Sequence, residues 1–232
     1  MKLWALIPAA GVGRRMGTDI PKQYLPLGDK TVLEHSLAAL SQHPSIRGIV
    51  LVLGATDEYA GSILDAEPGI PVYRAVGGAE RSDSVLNGLQ LLAGHAHEQD
   101  WVLVHDAARP CLRAEDLDRL ITALEGHATG GLLGVPVRDT MKRTDAGNQV
   151  CETVDRDALW HALTPQMFRL GALREALLAA RARGLPVTDD ASAMELAGQV
   201  PLLVEGHADN LKITRPEDLA LAEFYLRQQE RL

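Results

Sequence analysis

Six short, almost unbroken apolar runs limit what this chain can fold into: residues 3–7, 48–53, 72–76, 101–105, 131–137 and 201–204. A strand with one wet face alternates apolar and polar residues, so runs without alternation call for cover on both faces, as in a parallel sheet clothed by helices. Helical faces lie between them. Val32, Leu33, Leu37 and Leu40 share one stripe; Val85, Leu86, Leu89 and Leu92, then Leu117, Leu120, Ile121 and Leu124, then Leu170, Leu173 and Leu177 make three more. A last helix is expected to begin near Arg215-Pro216-Glu217-Asp218, with Pro216 at its first position and acids in its first turn. Alternating β and α elements predict a doubly wound α/β fold with a mostly parallel sheet, and 232 residues suit one domain over 1–232.

One stretch breaks the rhythm. Residues 138–156 show no helical face and carry the turn signal Asp145-Ala146-Gly147-Asn148 between two polar extended runs, which predicts a projecting β-arm. A two-stranded arm with few apolar residues is marginal alone, so a second copy of the chain is its expected partner.

Net charge is −8 and the aromatics are 3 Trp, 4 Tyr and 2 Phe, which argues against a nucleic-acid binder with a basic, base-stacking face. No run approaches the roughly 18 apolar residues of a membrane span. The two cysteines, Cys111 and Cys151, have no metal-site spacing and are expected as small buried hydrophobes in a cytoplasmic protein. The histidines have no metal-ligand spacing either. His105 beside Asp106 is expected to be structural, since neighbours on a strand face opposite ways. Asp189-Asp190 is expected to cap a helix.

Against this acidic background residues 1–30 hold five Lys/Arg and only two Asp. They contain Pro8-Ala9-Ala10-Gly11-Val12-Gly13-Arg14-Arg15-Met16-Gly17, directly after the first run, then Pro21-Lys22-Gln23. Small residues at the carboxyl end of a strand let backbone N–H groups approach an anion, so this reads as a phosphate loop with cations behind it. Met16 occupies the third glycine position of a dinucleotide fingerprint, which disfavours an NAD-dependent oxidoreductase, and no Walker A pattern is present. A small basic mouth suits a polyphosphate ligand.

These residues, with Gln23-Tyr24-Leu25, Val32-Leu33-Glu34-His35, Gly77-Gly78, Arg81-Ser82-Asp83-Ser84-Val85, His105-Asp106-Ala107-Ala108-Arg109-Pro110, Val137-Arg138-Asp139-Thr140-Met141-Lys142, Leu163-Thr164-Pro165-Gln166 and Ala208-Asp209-Asn210-Leu211-Lys212, give the whole chain a resemblance to the 2-C-methyl-D-erythritol 4-phosphate cytidylyltransferases. The resemblance implies a Rossmann-like nucleotidyltransferase fold, transfer from CTP to 2-C-methyl-D-erythritol 4-phosphate, Mg²⁺, and a homodimer built through the arm. It further implies that Ala9, Ala10, Gly11 and Gly13 hold CTP. Arg15 and Lys22 would stabilise its triphosphate, and Gly78, Arg81 and Ser84 would line the cytosine end. Asp106 would lie near ribose and metal, and Arg109 near the sugar alcohol. Thr140 and Arg156 would serve a neighbouring subunit's acceptor site, Thr164, Thr188 and Asp209 the acceptor itself, and Lys212 its phosphate; Arg15, Lys22, Arg156 and Lys212 are the expected catalytic set. Ala79 departs from the polar residue often found after the second glycine, leaving only backbone to read the base there. A related transferase for another polyol phosphate, such as ribitol 5-phosphate, and a nucleotide-sensing module that binds CTP without turnover are the alternatives.

Overall fold

A computed structural model describes residues 1–11, 20–65 and 69–232. In chain order it contains β1 (Leu3–Pro8), a 3₁₀ turn (Lys22–Tyr24), β2 (Pro26–Leu27), β3 (Lys30–Thr31), α1 (Val32–Ser41), β4 (Ile46–Leu53), α2 (Ala60–Asp65), β5 (Val72–Val76) and α3 (Arg81–Leu92). There follow β6 (Trp101–Val104), α4 (Ala114–Leu124), β7 (Gly130–Pro136), β8 (Met141–Thr144), β9 (Val150–Val154) and β10 (Trp160–Arg169). The chain closes with α5 (Leu170–Ala182), α6 (Asp190–Leu196), β11 (Leu202–Glu205) and α7 (Glu217–Gln228).

Seven strands form one sheet in the order β11-β7-β10-β6-β1-β4-β5. The pairs β1–β4, β1–β6, β4–β5 and β7–β11 are parallel, while β10 runs antiparallel to both β6 and β7. Strand periodicity sends alternate residues into two layers. Leu3, Ala5, Ile7, Ile49, Leu51, Trp101 and Leu103 pack with α1 and α4, whereas Trp4, Leu6, Val50, Val52, Val102 and Val104 pack with α3, α5 and α6. This two-sided burial is why the runs lack alternation. α7 closes a third cluster through Ala222 and Leu226 against Cys111, Leu25 and Leu27.

The six apolar runs all become sheet strands, but β10 is the seventh and was not expected. Its sequence contains Pro165, which cannot donate to a ladder, and the pairing with β7 shifts register between Ala162 and Gln166 at that point. Pro216 is the N-cap of α7 rather than its first residue; Asp218 Oδ2 there accepts from the N–H groups of Thr214 (2.7 Å) and Arg215 (2.9 Å). The arm forms as β8 and β9, joined through Asp145, whose Oδ1 accepts from Gly147 N–H (2.8 Å) and Gln149 N–H (3.0 Å), with Asn148 at φ 61°.

Cys151 corrects an expectation. It sits on β9 and is exposed, because this ribbon has solvent on both sides, while Cys111 is buried under α7. Burial pushes the Cys111 thiol up to about 12, against a smaller opposing effect of Arg231. The thiolate is the reactive form, so Cys111 is expected to escape alkylation in the folded chain and to react only on unfolding. Mass spectrometry of maleimide-treated native protein checks this; rapid label at Cys111 would contradict the packing.

Candidate active site

The carboxyl ends of β1, β4, β5 and β6 meet at one edge, where the chain after β1 continues to β4, toward one end of the strand order, and the chain after β6 continues to β7, toward the other. Open α/β sheets bind ligands in such a crevice. Here it is an open cleft of about 230 Å³, walled by residues 8–11 after β1, residues 78–81 after β5, residues 106–108 after β6, and Lys22, Gln23, Ser84 and Lys212.

The two loops on the glycine side nearly touch. A Cβ on Gly77 would lie 2.3 Å from Ala10 Cβ, and one on Gly78 would lie 2.3 Å from Asp83 Cβ, so neither position has room for a side chain. Ser84 fixes the turn between them: its Oγ accepts from Gly78 N–H (3.1 Å) and donates to Glu80 O (3.1 Å). Opposite, Gln23 is buried and its carboxamide donates to Ala9 O (2.7 Å) and Gly11 O (3.1 Å). The next residue, Tyr24, donates to Asp57 Oδ2 (2.6 Å) and stacks on Tyr59, which seats the 3₁₀ turn on the sheet edge. Lys22 reaches the far end of the chain, donating from Nζ to Ile213 O (2.7 Å).

Charge converges on Asp106. Arg81 Nε lies 3.0 Å from Oδ1, Lys212 Nζ 2.8 Å from Oδ2, and Arg109 Nε 3.6 Å from Oδ2. Burial alone would push the Asp106 carboxyl up, but Arg81, Lys212 and Arg109 together hold it well below the usual carboxylate range. Arg81 also bonds Asp190 Oδ2 (2.9 Å), and the two carboxylates outweigh burial to keep its guanidinium charged. Asp189, not Asp190, caps α6, accepting Ser192 N–H (2.9 Å). Gln166 on β10 sets that helix end, donating to Asp189 Oδ2 (2.8 Å) and accepting Ala191 N–H (2.8 Å).

Ala9, Ala10, Gly11, Lys22, Gly78, Arg81, Ser84, Asp106 and Lys212 are therefore brought to one cleft. Gly13 and Arg15 lie outside the described residues. Three expected acceptor contacts face the protein instead. Arg109 is buried and donates from Nη1 to Asn210 O (2.7 Å). Thr164 Oγ1 is buried between Asp106 N–H (3.0 Å) and His105 Nδ1 (3.1 Å). Asp209 turns to Arg113 Nη2 (2.6 Å) and Gln229 Nε2 (3.1 Å), away from the cleft. Thr140, Arg156 and Thr188 are exposed, the first two on the arm or at its base, where Arg156 Nη1 donates to Arg138 O. Gln23 and Asp190 hold cleft groups in place, roles the sequence reading did not give them: Gln23 stood only within the motif after Lys22, and Asp190 only as a helix-cap candidate. A polar Gln23 between Lys22 and the apolar pair Tyr24-Leu25 was the one hint of a buried carboxamide.

No group of three or more His, Cys, Asp or Glu side chains that could hold a metal ion occurs among the described residues. The cleft wall carries two carboxylates, Asp106 and Glu80. Magnesium is normally held by one or two carboxylates together with substrate phosphates, so this hard-oxygen donor set fits a metal that arrives with a nucleotide and would not fit a closed protein cage.

His105 is structural. It is fully buried, with Nε2 3.0 Å from Arg109 O and Nδ1 facing the Thr164 hydroxyl, a pattern met by the neutral ring protonated at Nε2. Burial pushes its pKa down to about 4. A folded value below the unfolded one near 6.5 gives stability that is complete above about pH 6.5 and is lost as pH falls toward 4. Unfolding free energy by denaturant is expected to drop over that window by up to about 3 kcal/mol more in the native chain than in His105→Gln. Parallel pH curves would contradict the assignment.

The chain is similar to known proteins over almost its whole length. The family model for 2-C-methyl-D-erythritol 4-phosphate cytidylyltransferase matches residues 3–228. The enzyme of that name from Ectopseudomonas mendocina (strain ymp) is 57% identical over 220 residues, covering 94% of this chain and 93% of its own. A crystal structure of 4-diphosphocytidyl-2C-methyl-D-erythritol synthase superposes with a TM-score of 0.84 at 44% identity, covering 97% of this chain and 99% of that one. The 2-C-methyl-D-erythritol 4-phosphate cytidylyltransferase of Francisella tularensis gives 0.81 at 33% identity, covering 97% and 100%.

Proposed function

The chain belongs to the 2-C-methyl-D-erythritol 4-phosphate cytidylyltransferase family, and from that premise we propose how its own residues divide the work of moving a cytidylyl group. The enzyme joins CTP to 2-C-methyl-D-erythritol 4-phosphate in isoprenoid precursor synthesis. An acceptor phosphate oxygen bonds to the α-phosphorus of CTP, the bond from that phosphorus to the bridging oxygen breaks, and pyrophosphate leaves with the electron pair. The observation that carries the reading is the meeting of Arg81, Lys212 and Lys22 with Asp106 around a cleft at the carboxyl ends of β1 and β6.

A phosphate monoester has a second pKa near roughly 6, so the attacking oxygen is already anionic at neutral pH and no general base is needed. What remains is to bring one anion against another and hold them in line. Lys22, and Arg15 from outside the described residues, meet the triphosphate; residues 10 and 11 offer backbone N–H groups to it; and the 77–80 turn takes the cytosine end. Lys212 exchanges its bond to Asp106 for the acceptor phosphate, and Thr188 offers its hydroxyl to the same acceptor. Arg109, Thr164 and Asp209 act from beneath as positioning residues. Asp106, with Glu80 near, would hold a magnesium ion whose remaining ligands are phosphate oxygens and whose charge offsets that of the leaving group.

The same reading makes the enzyme a cytoplasmic homodimer. β8 and β9 are exposed along almost their whole length, including Val150 and Met141, and a ribbon of this kind needs a surface to lie on. Thr140 and Arg156 would thereby reach a second copy's acceptor site. Two free thiols agree with a reducing compartment, and no helix among the described residues is long and apolar enough to cross a membrane.

Pyrophosphate release is expected with Mg²⁺, CTP and 2-C-methyl-D-erythritol 4-phosphate, and not when ribitol 5-phosphate or another nucleoside triphosphate is substituted. Turnover with ribitol 5-phosphate instead would overturn the acceptor assignment. Lys22→Ala should lower kcat by roughly 10²-fold or more, the usual cost of losing a pre-aimed charge-stabilising donor; unchanged turnover in the folded variant would remove Lys22 from the mechanism. A chain lacking residues 138–156 should run as a monomer in sedimentation and lose activity, and an active monomer would refute the role of the arm.

A further inference from the structure

We propose that Gln23 is a positioning residue for the triphosphate, setting the direction of the loop after β1 by gripping its carbonyl groups from behind; the inference rests on the assignment of that loop to CTP. The carboxamide donates both of its N–H bonds to main-chain oxygens, Ala9 O at 2.7 Å and Gly11 O at 3.1 Å. Two carbonyl acceptors fix which end of the carboxamide carries nitrogen, because an oxygen there would repel both. The side chain is 4% exposed, so water does not compete for these bonds.

A trans peptide holds its C=O and N–H in one plane, pointing in opposite directions. Holding the Ala9 carbonyl toward Gln23 therefore turns the Ala10 N–H the other way. Neither Ala10 N–H nor Gly11 N–H has a protein acceptor among the described residues, although both residues line the cleft. The Ala10 N–H is thereby left as a backbone donor for an anion, the kind of group from which backbone anion sites are built. The preceding residue on the same strand end, Ala9, is tied to the sheet through its own N–H to Val52 O (2.8 Å), so residues 9–11 are held by β4 on one side and by Gln23 on the other.

Gln23 itself is locked from its other side. It belongs to the Lys22–Tyr24 turn, whose Tyr24 is bonded to Asp57 and whose Lys22 is bonded to Ile213 O. One turn thus brings a cation and a backbone donor to the same cleft, the first through Lys22 and the second, Ala10 N–H, through Gln23.

The test compares native protein, Gln23→Met and Gln23→Glu by calorimetric titration with CTP and with CMP, and by steady-state kinetics. Gln23→Met keeps length without donors; Gln23→Glu sets a carboxylate against the two carbonyls. Gln229→Met is the matched control, since Gln229 also donates twice, to Cys111 O (3.0 Å) and Asp209 Oδ2 (3.1 Å), outside the cleft. The expected result is a rise of at least tenfold in the CTP dissociation constant and KM for both Gln23 variants, with CMP affinity and the acceptor KM within about threefold of native. Gln229→Met is expected to lower the melting temperature while leaving CTP affinity unchanged. Native-like CTP binding in a folded Gln23 variant, or equal losses for CTP and CMP, would overturn the inference. Failure of the native chain to bind CTP would instead defeat the assignment beneath it, so the two failures are separable.

Discussion

A carboxylate cut off from water must be charge-compensated or it will protonate, and Asp106 is such a group at the centre of this molecule. Its oxygens are met by Arg81 from the start of α3, Arg109 three residues on, and Lys212 from the segment that follows β11. Arg81 in turn needs Asp190, Asp190 needs α6 in place, and α6 is set by Gln166 from the antiparallel strand β10. Removing a partner from a buried pair strands the remaining charge, at a cost of several kcal/mol. The cleft and the scaffold are for this reason one network: cations that a phosphate ligand can use are held ready by an anion that the fold itself requires.

The described part of the cleft wall is held by close packing and by bonds to its main chain. Glycines at 77 and 78 exist because the loops pass too closely for a Cβ, and Ser84 and Gln23 satisfy the carbonyl and amide groups that such close turns would leave bare. A triphosphate entering here meets donors whose orientation has already been fixed at folding, so little further ordering opposes binding.

The sheet was legible in the sequence because two-sided burial writes itself as continuous apolar runs. β10 was not, since Pro165 and the polar residues Thr164 and Gln166 interrupt its pattern, and those residues are polar for the sake of the charge network rather than the core. The phosphate loop and its cations could be read from composition and position. Which way a side chain turns could not: Arg109, Thr164 and Asp209 stand in motifs beside the cleft yet point into the protein, and a linear pattern does not record the partner that decides this. Asp190 and Gln23 show the converse, acting on cleft groups through bonds across 109 and 14 residues of chain.

Cys151 sits on the exposed arm, and the chain's second thiol, at Cys111, is sealed beneath α7. A spin label or fluorophore attached to the native chain would consequently go to one place without any engineered mutation. Two such labels in a paired assembly would form a molecular ruler across its arms, and their separation could be followed while substrates come and go.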